Sequence, residues 1–189
     1  RSLADLAPGA TVATGSVRRR AQLAALRTDL TFAELRGNIA TRLERIPVDG
    51  SIMMAATSLE ILGETERIAE RFDPASFVPA VGQGSVAVEC GADDAATIEA
   101  LGAVDDRAAR RAVTIERAWL AGVGGGCSLP IGGHVIGDEL HVMLADRDEW
   151  PAHTAPQIYR EVIALTGDLD VDCDLAAETA RTALVATER

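Results

Sequence analysis

The chain contains no lysine, so all eighteen of its basic side chains are arginines. Aromatic residues make up only 3% of its 189 residues, so any core is aliphatic and rich in alanine. Cysteine is scarce too. Cys90, Cys127 and Cys173 are an odd number at no metal-binding spacing, which argues against a disulfide framework and for a reducing compartment. There is no apolar run of about eighteen residues and no charged-then-apolar leader, so neither a membrane span nor a signal peptide is expected, and the location expected is cytoplasmic. Positive charge is in deficit overall: the net charge of −11 disfavours nucleic acid as a partner. The length suggests one or two domains, and 48% hydrophobic residues are ample for a core.

What is present is uneven. Residues 1–45 hold eight arginines against Asp5, Asp29, Glu34 and Glu44, a balance of +4. The remainder holds ten arginines against twenty-five acids, a balance of −15. Composition bias accounts for most of the arginines, but the excess at the start is suited to focus an anionic ligand on an acidic protein. A second feature is Gly124-Gly125-Gly126-Cys127-Ser128-Leu129-Pro130-Ile131-Gly132. Three glycines strip the backbone of side chains and permit positive φ, and Pro130 stiffens the exit. Such a loop suits a thiol that carries a covalent adduct, or simply a tight turn around a small buried cysteine.

The pattern alternates strand and helix at first. Thr11–Thr14 reads as a strand, Ser16 as an N-cap and Val17–Leu26 as a helix. Thr31–Leu35 is the next strand, Arg36-Gly37-Asn38 a turn, and Ile39–Arg45 the start of a helix. Ser51–Ala56 reads as a buried strand, and Glu64–Arg71 as a solvated helix. This predicts an α/β unit with a largely parallel sheet. Asp73–Gly84 reads as a hinge, Ser85–Glu89 as a strand, and Asp93–Val104 as a helix. Asp105 is expected to cap a helix through Leu120. Ile131–Ile136 and Glu139–Ala145 form a hairpin about Gly137-Asp138, Gln157–Leu165 adds a third strand, and Asp174 caps a last alanine-rich helix. The second unit is therefore a small three-stranded α+β domain.

The arginines near the start fall at one edge of such a sheet. Arg18 and Arg19 extend from the first turn of a helix, where cations oppose the dipole. That local conflict is a mark of a binding site. Arg36 and Arg42 follow the next strand at the same edge, where ligands of open α/β sheets bind. Guanidinium groups grip carboxylates in a bidentate fork. The alternative is a set of surface ion pairs with Glu34 and Glu44. His134 and His141 read as structural or surface residues, Cys90 and Cys173 as incidental. The alternating Asp168, Asp170, Asp172 and Asp174 read as a solvated acidic turn, because the glycine and terminal glutamate of a calcium loop are missing.

Ser16-Val17-Arg18-Arg19-Arg20, Leu35-Arg36-Gly37-Asn38-Ile39-Ala40-Thr41-Arg42, Pro79-Ala80-Val81-Gly82-Gln83-Gly84 and Glu116-Arg117-Ala118 precede the cysteine loop in that order. Together they resemble the porphobilinogen deaminase, or hydroxymethylbilane synthase, family from about Thr11 to Ile136, and more weakly beyond. The resemblance implies a dipyrromethane cofactor joined by a thioether at Cys127, which acts as an anchor and not as a turnover nucleophile. It implies that four porphobilinogens, each with two carboxylates, condense head to tail with loss of ammonia to give hydroxymethylbilane. Thr14, Ser16, Arg18, Arg19, Arg36, Asn38 and Arg42 are then expected to hold acetate and propionate arms, with Gln83 as a further contact. The family also implies a periplasmic-binding-protein-like architecture. Residues 1–78 would form its second domain, 79–104 a hinge and crossover belonging to its first, and 105–189 the C-terminal domain with the cysteine loop.

The same resemblance implies that the rest of the first domain, with the catalytic aspartate, lies ahead of Arg1 or on a separate chain, so that this chain alone is inactive. Departures from the family pattern are specific. Ile61 stands where an arginine is usual, Gly15 where serine is usual, and the loop before Ser51 is short. Two rivals stand beside this reading. One is a degenerate, non-catalytic module that binds a pyrrole or another carboxylate. The other is a cysteine acyl transferase, which would need a histidine base beside Cys127.

Overall fold

The computed structural model describes residues 2–124, 129–146 and 153–187. It is a mixed α/β structure with two separate three-stranded sheets. The first sheet is parallel, in the order β2-β1-β3, with β1 at Thr11–Ala13, β2 at Thr31–Ala33 and β3 at Ser51–Ile52. Helix α1, Val17–Leu26, links β1 to β2, and α2, Ile39–Glu44, lies between β2 and β3. Helix α3, Ala56–Ile61, follows. The chain leaves the central β1 for β2 and returns from β2 past β1 to β3, so the carboxyl ends of the strands open at a topological switch point.

The second sheet is antiparallel, in the order β4-β5-β6, with β4 at Ile131–Ile136, β5 at Glu139–Ala145 and β6 at Ile158–Ala164. The hairpin turns at Gly137-Asp138, pairing Ile136 with Glu139. Helices α5, Arg107–Val123, and α6, Leu169–Thr187, pack on one face of it. The alternation along β5 explains why both of its faces are apolar. Leu140, Val142 and Leu144 join Ile115, Trp119 and the stripe Ala176, Ala180 and Ala183 in the main core. Met143 and Ala145 turn the other way and join Ala21 of α1 and Val78. The two sheets thus share one small cluster across β5.

Several expected elements are revised. The apolar run after Ser51 gives only a two-residue strand, and Ala56–Ile61 is helical. Glu64–Arg71 is not a helix: a single 3-10 turn spans Thr65–Arg67. That segment has no apolar stripe to hold a helix against a core. Ser85–Glu89 is not a strand and pairs with no strand among the described residues, and its residues are exposed. The helix expected over Asp93–Val104 is α4, Ala95–Leu101, capped by Asp94, plus a 3-10 turn at Gly102–Val104. Asp106, not Asp105, caps α5, while Asp105 pairs with Arg110 at 2.5 Å. Helix α6 begins five residues ahead of Asp174, and Asp168 accepts from the amides of Asp170 and Val171. Nor is the aspartate run a solvated turn throughout, since Asp172 is fully buried.

Candidate functional site

The turn from β1 to α1 is built from its own hydroxyls. Thr14 is buried, and its Oγ1 accepts from the Ser16 amide at 3.2 Å. Ser16 caps α1 by accepting from the Arg19 amide at 3.4 Å. Each hydroxyl uses a lone pair in these bonds and keeps its proton to donate elsewhere. Gly15 fits a close approach: a Cβ there would lie 2.8 Å from the Leu35 carbonyl oxygen. The exits of β1 and β2 therefore run side by side, which brings the two arginine segments to one edge.

Arg18 is buried. Its Nη1 donates to the Val78 carbonyl at 2.7 Å and its Nη2 to Gln83 Oε1 at 3.2 Å. Burial and then the neighbouring Arg19 charge lower its pKa to about 10. Arg19 donates from Nη1 to the Met53 carbonyl at 3.2 Å, beyond the end of β3. Its pKa is lowered as well, by burial first and then by the charge of Arg42. Arg42, half-buried, donates from Nε to the Gly37 carbonyl at 2.8 Å. Asn38 caps α2, its Oδ1 accepting from the amide and hydroxyl of Thr41, which leaves its N–H donors for another partner. Among the described residues, none of Arg18, Arg19 and Arg42 has a carboxylate within ion-pair distance.

The ion-pair alternative fits other arginines better. Glu34 accepts from Arg20 at 2.9 Å and lies 3.7 Å from Arg36. Arg36 is 86% exposed at its side chain, whereas Arg18 is buried and Arg19 partly so. The structure thus brings together Arg18, Arg19, Arg42 and Gln83, with Thr14 and Ser16 at the turn beneath them. It leaves Arg36 on the surface. Cys127 and its glycines Gly125 and Gly126 lie outside the described residues. A cavity of about 700 Å³ opens beside the cluster, with Arg18, Arg19 and Gln83 in its wall together with Met53, Leu59 and Phe77.

Sequence reasoning missed the groups that position this edge. Gln22, fully buried, accepts from the Val78 amide at 2.8 Å and donates to the Val78 carbonyl at 3.0 Å. Its place within α1 gives no hint of that role, beyond being polar on an apolar stripe. Glu116 is buried on α5 and accepts from the amides of Gly82 and Val135, at 2.6 and 2.9 Å, with His134 Nδ1 at 3.1 Å. The hinge residue Gln83 is therefore held between Arg18 on one side and the Gly82–Glu116 bond on the other. His141 is buried on β5, with Nε2 3.3 Å from Glu139.

An unpaired cluster of arginines on an acidic chain has an anion as its natural complement, and the comparisons with known proteins agree in kind. The model of "Porphobilinogen deaminase, dipyromethane cofactor binding domain" matches residues 1–99. A porphobilinogen deaminase of Roseiflexus sp. is 47% identical over 153 residues, covering 78% of this chain and 50% of that protein. That of Halalkalibacterium halodurans is 39% identical over 166 residues, covering 86% and 53%. That of Mycobacterium leprae is 45% identical over 132 residues, covering 69% and 42%. The chain spans about half the length of the curated relatives it matches. With more than half its residues inside that family model, the chain belongs to the porphobilinogen deaminase family.

Proposed function

We propose that this chain carries the carboxylate-gripping edge and the cofactor anchor of a porphobilinogen deaminase. The whole activity would be the condensation of four porphobilinogens to hydroxymethylbilane in tetrapyrrole biosynthesis. The observation that carries the reading is the cluster Arg18, Arg19 and Arg42. Three cations, with burial and neighbouring positive charge lowering the pKa of Arg18 and Arg19, and no acid among the described residues within ion-pair distance of the three, form a site for a polycarboxylate. The donor set fits dipyrromethane, whose acetate and propionate arms would take these guanidiniums, the hydroxyls of Thr14 and Ser16, the amide of Asn38 and the more exposed Arg36. Bound at Cys127, the cofactor would supply the covalent end from which the pyrrole chain grows. Gln83 would orient the ligand from the hinge, since Arg18 already fixes its side-chain oxygen.

The division into residues 1–78, 79–104 and 105–189 belongs to the same reading, as does a periplasmic-binding-protein-like frame for the first unit. So does a cytoplasmic location; among the described residues no helix is long and apolar enough to cross a membrane. Turnover is expected to need more than this chain, so binding is the direct test. In titrations with a synthetic dipyrromethane tetracarboxylate, Arg42→Leu should weaken binding about tenfold, one bidentate carboxylate contact, while the melting temperature stays near that of the parent. A large fall in melting temperature with unchanged binding would refute the site. A second expectation concerns attachment. Acidic dimethylaminobenzaldehyde should colour holo protein, and Cys127→Ser should abolish the colour; colour that survives the substitution sinks the anchor.

A further inference from the structure

Ile61 stands at the end of α3 with its side chain 80% exposed and is not in the cavity wall. The chain then doubles back through Gly63, whose amide donates to the Glu60 carbonyl, and the Glu64 amide donates to Leu59. This return brings Arg67 and Arg71 into the wall of the same cavity that Arg18 and Arg19 line. Four arginines and two acids, Asp49 and Glu70, line that wall, with Glu60 and Glu64 beside two of the arginines from outside it. The two added arginines are not equivalent. Arg71 is engaged by Glu60 at 2.5 Å. Among the described residues Arg67 has one ion-pair partner, Glu64, 3.7 Å away and three residues back along the chain, and both side chains are about two-fifths exposed. Glu66, the neighbour of Arg67 in the chain, makes no ion pair with it among the described residues, and Glu70 accepts from the Leu3 amide at 2.5 Å.

We infer that Arg67 is a further binding residue of this site, taking a carboxylate of the same elongated pyrrole ligand that Arg18 and Arg19 hold. Arg67 so supplies to the cavity a cation that Ile61 does not. The inference rests on the proposed polycarboxylate function and deepens it. Met53, Met54, Phe72 and Phe77 in the same wall suit the ring bodies of such a ligand.

The test uses the 189-residue chain, a synthetic dipyrromethane tetracarboxylate and its tetramethyl ester, with binding read by calorimetry and folding by thermal melts. Arg67→Gln should weaken the tetracarboxylate about tenfold and leave the ester unchanged, since only the acid offers a charge to the guanidinium. Arg19→Gln serves as the reference for the underlying site. If Arg19→Gln weakens the acid and Arg67→Gln does not, the inference about Arg67 falls and the proposed site stands. Equal weakening of acid and ester by Arg67→Gln would also overturn it, because the side chain would then act by packing. Failure of the parent chain to bind the acid at all would overturn both.

Discussion

Side by side on the first turn of α1, Arg18 and Arg19 oppose both the helix dipole and each other. Carbonyls of Val78 and Met53 solvate them in part, yet neither carbonyl neutralises a charge. The lowered Arg18 pKa means that charge on this group disfavours the fold. Asp172 is the contrasting case. Burial pushes its carboxyl upward, but bonds from the amide and hydroxyl of Thr166, from Arg111 and from the Gly167 amide outweigh that and leave it below the ordinary range. A carboxyl with a depressed folded pKa contributes stability that is present above its unfolded value, about 4, and is lost as pH falls through the folded value. Asp172→Asn should therefore cost about 2–3 kcal/mol at pH 7, where it leaves Arg111 and the Gly167 amide without their acceptor. The gap to the parent should narrow as pH drops below about 4. Urea unfolding at pH 7 and pH 3 measures it, and a gap of the same size at both would contradict the account.

At the scale of elements, the sequence is most legible where local signals agree. Ser16 before Val17 announces α1, and the structure starts the helix there. Gly137-Asp138 between two alternating runs announces the β4–β5 hairpin, and its register follows. Asp106 displaces Asp105 as a cap because either residue satisfies the same rule, and only the geometry of the first turn selects one. The four alternating aspartates pose the same ambiguity more severely. Asp168 lies at the start of α6 and Asp172 is buried against Arg111, a partner sixty-one residues away that no local pattern reveals. Ser51–Ala56, read as one buried strand, differs for another reason. Short apolar runs fit strand and helix alike, and here the run divides between the edge strand β3 and the start of α3. For the proposed site, arginine spacing made Arg18, Arg19, Arg36 and Arg42 visible, and Arg36 is the most exposed of the four. Gln22 and Glu116 were not legible, because each acts on a partner far away in sequence, and only the fold puts Arg67 in the cavity wall.

At the scale of the molecule, the segment 76–83 is what ties the two sheets together. Gln22 and Arg18 hold Val78 from the α1 side. From the other side Gly133 donates to the Pro79 carbonyl at 3.1 Å, Glu116 accepts from Gly82, and Arg160 donates to the Ser76 carbonyl at 3.0 Å. Met143 and Ala145 pack on Val78 and Ala21 within the same joint. Immediately beyond it the character of the chain reverses. Residues 84–94 are exposed throughout, with Val86 at 90% and Val88 at 60%, and α4 buries none of its residues. The recorded backbone bonds there are short-range, such as Ser85 to Gly82 and Asp94 to Gly91. A segment that buries no apolar surface opens at little free-energy cost, whereas amides inside the joint open only when the sheets part. Hydrogen exchange should accordingly show slow exchange at Val78, Gly82 and Gly133 and near-intrinsic rates from Val86 to Glu89. Gln22→Leu should speed exchange at Val78, whose buried amide then lacks its acceptor, while the α5–α6 core keeps its protection. Slow exchange at Val86 and Val88 in dilute protein would contradict this division. So would loss of protection across α5 and α6 in Gln22→Leu, which would make the joint part of the main core and not a separate tie that sets Gln83 beside Arg18.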